Sequence, residues 1–125
     1  MDFKKIVNEY KLDFDLEKLL EISRKSSEIG GQILKNNYRN IQNISSKGRK
    51  GDLVTNVDLE AEEKIKEFLN NETPEIKIIA EESKKSKESK ESKDLKWCID
   101  PLDGTTNFTH GYPFFGTSIG LVFND

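Results

Sequence analysis

Cysteine, histidine and long apolar runs are nearly absent from this chain, and each shortage removes a class of function. The single cysteine, Cys98, cannot form an internal disulfide, so a reducing, cytoplasmic setting is the expectation. Only one histidine is present, His110 in "THGYP", and it is read as a loop or structural hydrogen-bonding residue, not as a metal ligand. No apolar run approaches the roughly 20 residues that span a bilayer. The first residues, "MDFKKIVNEYKLDFD", are mixed and charged, so neither a signal peptide nor a membrane partner is expected. A basic excess is also missing: 20 Lys and Arg stand against 23 Asp and Glu, a formal net charge of -3. That argues against a nucleic-acid partner, which normally leaves a basic face. Apolar residues make up 34% of the 125 positions and charged residues another 34%. The chain therefore reads as one small domain over residues 1–125 that buries roughly two thirds of its surface on folding.

What is present is an ordered alternation of helical and extended patterns. Residues 1–14 form a lead-in, helical in part, and Asp15 is a candidate N-cap for a long helix to Tyr38. Leu16, Leu19, Leu20, Ile22, Ile29, Ile33 and Leu34 recur near helical spacing and are taken as its buried face. Gly30 and Gly31 lie inside that helix, where each costs about 1 kcal/mol relative to alanine. Either another element approaches closely there or the helix breaks. "NISSKGRKGD", residues 43–52, reads as a flexible polar loop, and Leu53–Thr55 as a short extended stretch. Asn56 or Asp58 then opens a second helix to Asn71, with Val57, Ala61, Ile65, Phe68 and Leu69 on its apolar face. "EIKIIAEE" reads as a buried strand ending on acids. Residues 83–94, "SKKSKESKESKD", are a mobile low-complexity loop with nothing to bury. "KWCID" and "FFGTSIGLVF" (114–123) are further strands, the last apolar enough to be central in a sheet. Cys98 is read as a packed core thiol, Tyr112, Phe114 and Phe115 as anchors of the turn into the last strand, and the lysines between 84 and 96 as a solvated run.

Three acidic clusters fall where apolar elements begin or end: Asp58 at a helix start, Glu81 and Glu82 after "IKIIA", and Asp100 and Asp103 after "KWCI". Ligands commonly gather at the carboxyl ends of strands. Carboxylates brought together repel one another unless a cation lies between them or water surrounds them. An oxygen-only donor set suits Mg²⁺ or Mn²⁺. After Asp103, Gly104 permits close approach of the backbone to a ligand, and Thr105, Thr106 and Asn107 are helix-opening types whose N–H groups favour an anion. Metal ions beside an anion site suit phosphate-ester hydrolysis. The residues alone leave a second reading open, a capped, solvated turn after a strand.

"DLVTNVD", "IIAEES" and "WCIDPLDGTTNFTHGYPFF" resemble, in order and spacing, the motifs of the inositol monophosphatase family of metal-dependent, lithium-sensitive phosphatases, from about residue 15 onward. The resemblance implies the N-terminal part of a layered αβαβα sandwich, of α+β or α/β class, and Mg²⁺-dependent hydrolysis of phosphomonoesters. It places Glu81, Asp100 and the Leu102 carbonyl at the first metal. Asp100 and Asp103 correspond to ligands shared with, or belonging to, the second. Asp58 and Thr105 match the hydrogen-bonded pair that orients the attacking water. Asp103 and the amides of Gly104 and Thr105 match the substrate phosphate site. Lys47 falls where the family carries a loop lysine, and Glu82 follows the metal-binding glutamate. Ala80 departs from the usual glycine. "TNF", residues 106–108, resembles the branch acting on small polyol or sugar phosphates such as inositol-1-phosphate.

The family's second half carries a further metal-binding aspartate and most substrate contacts, and these 125 residues do not reach it. The sequence therefore leads to two expectations. In one, the activity depends on self-association or on a missing C-terminal half. In the other, the chain is a non-catalytic partner-binding protein or an inactive truncated product.

Overall fold

The computed structural model describes Lys4, Lys5 and Asn8, which are helical, and residues 16–40, 44–46, 53–80 and 95–123. Asp15, Lys47, Glu81, Glu82 and the 83–94 segment lie outside the described residues. The first long helix, α1, is Leu16–Asn37, and it runs unbroken through both glycines. Its buried seam is Leu19, Ile22, Ser26, Gly30 and Leu34. Two residues assigned to that face from the sequence are in fact exposed, Leu16 at 57% and Leu20 at 68%. Leu20 is rotated by about 100° from Leu19 on the helix surface. The seam turns instead toward the small residues, because other elements cross there at short range. A Cβ on Gly30 would lie 2.6 Å from Thr117 Oγ1 and 3.0 Å from Ile65 Cδ1, whereas one on Gly31 would meet nothing within 4 Å. Close approach, not a helix break, accounts for Gly30.

Part of the expected 43–52 loop is a strand: β1, Ile44–Ser46, pairs antiparallel with β2, Leu53–Thr55. The second helix, α2, is Asn56–Glu72, opened by Thr55 in a capping box with Asp58 at the third helical position. Such a box satisfies amide donors that the first turn leaves without helical partners. Three further strands form one sheet in the order β3 (Lys77–Ala80), β4 (Leu95–Asp103), β5 (Gly116–Phe123). β3 and β4 are parallel, and β4 and β5 are antiparallel. Among the described residues β4, not the "FFGTSIGLVF" strand, is therefore central, and β5 begins only at Gly116. A short helix, α3 (Thr105–Thr109), bridges β4 and β5.

The helices cover the sheet through two apolar clusters. Leu19 and Ile22 of α1 meet Ile65 and Leu69 of α2 over Ile76, Ala80, Leu95, Trp97 and Ile99. Trp97 Nε1 donates to Thr73 Oγ1 at 2.9 Å, which satisfies the indole inside this core. Leu34, Val57, Leu102 and Phe108 form the second cluster, with Ile33, Tyr38 and Phe115 against it. Phe108 meets Phe115 edge-on with centroids 4.8 Å apart, and Tyr38 lies 5.3 Å from Phe115. Phe115 is thus an anchor, as expected, but Tyr112 and Phe114 are exposed, at 60% and 75%. Cys98 is only half-buried, not a core thiol. Lys96 departs from the solvated lysine run: it belongs to β4 and is buried, because strand pairing on both sides carries it under the neighbouring elements.

Candidate active site

The second apolar cluster carries a polar layer. Asp58 is fully buried, 0% exposed. Its Oδ1 accepts the Thr55 backbone N–H at 2.7 Å and the Thr55 hydroxyl at 2.5 Å. Thr55 Oγ1 accepts in turn from the amides of Val57 and Asp58, at 3.1 and 3.2 Å. One carboxylate oxygen is therefore locked into the start of α2, and Oδ2 faces outward to another element. Thr105 Oγ1, at the first position of α3, lies 3.0 Å from Asp58 Oδ2 and 3.1 Å from the Leu102 carbonyl. A hydroxyl has a single proton but two lone pairs. When Thr105 donates to Asp58, its oxygen can still accept a proton from a third group.

Thr105 reaches that position because of how β4 ends. The strand continues beyond Asp100, where the sequence reading ended it, through Pro101 and Leu102 to Asp103. Asp100 pairs with Ser118 and Asp103 with Gly116, with a register shift between them. Pro101 and Leu102 consequently stand opposite Thr117 alone, the two-against-one pattern of a β-bulge. Bulges bend a strand and re-aim its residues, and here the bent segment holds Asp100, the Leu102 carbonyl and Asp103. Asp100 is half-buried and Asp103 exposed. Gly104 then turns the chain with φ +93°. A Cβ there would sit 2.8 Å from the Phe114 carbonyl, so conformation and space both require glycine. Asn107 Nδ2 donates to that same carbonyl at 2.9 Å, which ties α3 to the segment before β5.

The structure thus brings together Asp58 and Thr105, and places Asp100, Leu102, Asp103 and Gly104 on the adjoining bulge and turn. Among the described residues no three His, Cys, Asp or Glu side chains converge as a metal cluster. Glu81, the remaining carboxylate of the expected set, lies outside them, as do Lys47 and Glu82. The donors that remain are carboxylate and carbonyl oxygens, which fit a hard divalent cation. His110 is engaged structurally, its Nδ1 at 2.7 Å from the Thr106 carbonyl. Two residues of this region escaped the sequence reading. Thr55 carried a signal, since Thr-x-x-Asp opening an apolar helix is a variant of the capping box. Thr117 carried none, because its partner lies across the sheet.

Residues 15–125 match the family model described as the inositol monophosphatase family. The chain is 40% identical over 110 residues to a fructose-1,6-bisphosphatase/inositol-1-monophosphatase of Aquifex aeolicus, an alignment covering 86% of this chain and 40% of that protein. It is 41% identical over 111 residues to an inositol-1-monophosphatase of Synechocystis, covering 89% of this chain and 38% of the relative. The structure superposes on the Thermotoga maritima IMPase with a TM-score of 0.72 at 35% identity, over 84% of this chain and 39% of that one. The helices and mixed sheet are thus part of a layered α/β fold. The chain spans about 40% of the length of the curated relatives it matches.

Proposed function

The chain belongs to the inositol monophosphatase family, and on that premise we propose that it contributes the water-orienting and metal-holding part of a Mg²⁺-dependent phosphomonoesterase. The observation that carries this reading is the buried Asp58–Thr105 hydrogen bond at 3.0 Å. Asp58 is held on one oxygen by Thr55 and takes the Thr105 proton on the other. The lone pair left on Thr105 Oγ1 receives a proton from water and aims that water's oxygen at the phosphorus. Asp100, the Leu102 carbonyl, Asp103 and Glu81 would hold Mg²⁺, for which Mn²⁺ can substitute. The metal supplies positive charge to the phosphate and to the water. The amides of Gly104 and Thr105 donate to the phosphate group, and Asp103 borders that site through the metal it would hold. Lys47 and Glu82 are assigned supporting roles on the family resemblance alone. The remaining substrate contacts come from sequence corresponding to the rest of the relatives' length, in this chain or another.

The substrate class is a small polyol or sugar phosphate. The names of the relatives, which cite inositol-1-phosphate and fructose-1,6-bisphosphate activities, support that class. No described helix is long and apolar enough to cross a membrane, and the cellular site proposed is the cytoplasm. The non-catalytic alternative is not favoured, since the polar pair is present and bonded.

Phosphate release from inositol-1-phosphate and fructose-1,6-bisphosphate, measured with Mg²⁺ and with chelator on the chain joined or mixed with a segment corresponding to the rest of the relatives' length, tests this reading. Metal-dependent release from either is expected. Release unaffected by chelator would overturn it.

A further inference from the structure

We propose that Thr117 is a positioning residue for the oxygen donors of the β4 bulge, and that Gly30 provides the space in which it acts. The inference rests on the metal-site reading above. Pro101 is fully buried, and a buried carbonyl requires a donor. The bulge disturbs the ladder where such a donor would normally stand, since Pro101 and Leu102 share one opposite residue. Thr117 Oγ1 donates to the Pro101 carbonyl at 2.8 Å. The next carbonyl, that of Leu102, is approached by Thr105 Oγ1 at 3.1 Å. With the Thr105 proton given to Asp58, the donor that holds a carbonyl between Asp100 and Asp103 is the Thr117 hydroxyl of β5. Holding the Pro101–Leu102 peptide plane sets where the Leu102 oxygen and the two flanking carboxylates point.

The Thr117 hydroxyl occupies this place only because α1 has no side chain facing it. A Cβ on Gly30 would come within 2.6 Å of Thr117 Oγ1 and 2.7 Å of its Cγ2. Any other residue at 30 forces a shift at this crossing, and the Thr117 side chain is the nearest group in the way. The first helix, remote in sequence from the acids, therefore bears on their geometry through one glycine and one hydroxyl.

The test titrates Mn²⁺ into the wild type and the Thr117→Val, Thr117→Ser and Gly30→Ala forms by calorimetry. Amide hydrogen exchange at Leu102 and Asp103 is followed in the same samples without metal. Thr117→Val is expected to weaken Mn²⁺ binding about tenfold, the lower range for residues that orient a metal's ligands, and to speed exchange at both amides. Thr117→Ser, which keeps the hydroxyl, should stay near wild type. Wild-type affinity in Thr117→Val, or equal loss in Thr117→Ser, would overturn the inference. So would faster exchange with unchanged affinity, which would leave Thr117 a structural hydrogen bond only. Should Thr117→Val fail to fold, Gly30→Ala carries the test, because it displaces the hydroxyl without removing it, and the same outcomes decide. A wild type that binds no Mn²⁺ would sink the metal reading itself, and exchange alone would then decide whether Thr117 holds the bulge.

Discussion

Thr105 Oγ1 and Asp58 Oδ2 lie 3.0 Å apart across 47 residues of sequence, joining the start of α3 to the start of α2. If the pair orients one water, each member is useless without the other. In the assembled enzyme, Thr105→Ala and Asp58→Asn should each lower kcat by about 10²- to 10⁴-fold with little change in KM. The double variant should be hardly worse than either single one. Steady-state kinetics showing multiplicative losses would mean that the two act separately.

Asp100 lies at the start of the bulge and would touch both metals. Asp100→Asn is expected to weaken Mn²⁺ binding at least about tenfold, and more than Asp103→Asn does. Calorimetry that finds equal affinity in the wild type and Asp100→Asn would remove Asp100 from the ligand set.

The capping box at the start of α2 also orients Asp58, so its loss should be felt twice. Thr55→Ala removes the hydroxyl that donates to Asp58 Oδ1 and accepts two amides. A loss of about 1–2 kcal/mol in stability by urea denaturation is expected, together with lower activity. Thr55→Ser, which keeps the hydroxyl, should retain most of both. A Thr55→Ala variant as stable as the wild type would show that the box is dispensable.

The two adjacent glycines of α1 should respond in opposite senses. Gly31→Ala adds a methyl group where nothing lies within 4 Å and should stabilise the helix by roughly 0.5–1 kcal/mol. Gly30→Ala gains the same propensity but drives its Cβ into Thr117 and Ile65, and should be net destabilising by about 1–3 kcal/mol. Thermal unfolding of the two variants separates these outcomes, and a stabilised Gly30→Ala would contradict the close approach.

A third glycine is constrained by conformation. Gly104 has φ +93° with the Phe114 carbonyl behind it. Gly104→Ala should cost about 1–2 kcal/mol from the left-handed backbone alone, and the 2.8 Å approach to the Phe114 carbonyl adds to it. Urea unfolding at or near the wild-type midpoint would show that the turn has another conformation open to it.

The sequence by itself determined the local elements. Apolar spacing marked both long helices to within a residue or two, because this signal acts between neighbours on one helix, whereas the cap of α2 is Thr55, one residue before Asn56. The family motifs contain Asp58, Thr105, Asp100 and Asp103, and the fold sets the first two 3.0 Å apart and the last two on one bulge. Only the tertiary structure decided what depends on how elements cross. Leu16 and Leu20 face outward and Gly30 inward because β5 and α2 pass close to one face of α1, a fact that the periodicity of α1 cannot contain. Strand Ile44–Ser46 hid in a polar segment, because three residues stabilised by a neighbouring strand need no apolar pattern of their own. "KWCID" runs on to Asp103 because β5 pairs beyond the proline, and a bulge absorbs the mismatch. Lys96 is buried because strand pairing fixes its place whatever its charge. Thr117 had no motif to mark it, since its role consists of one hydrogen bond to a carbonyl 16 residues away, and only the folded register brings the two together.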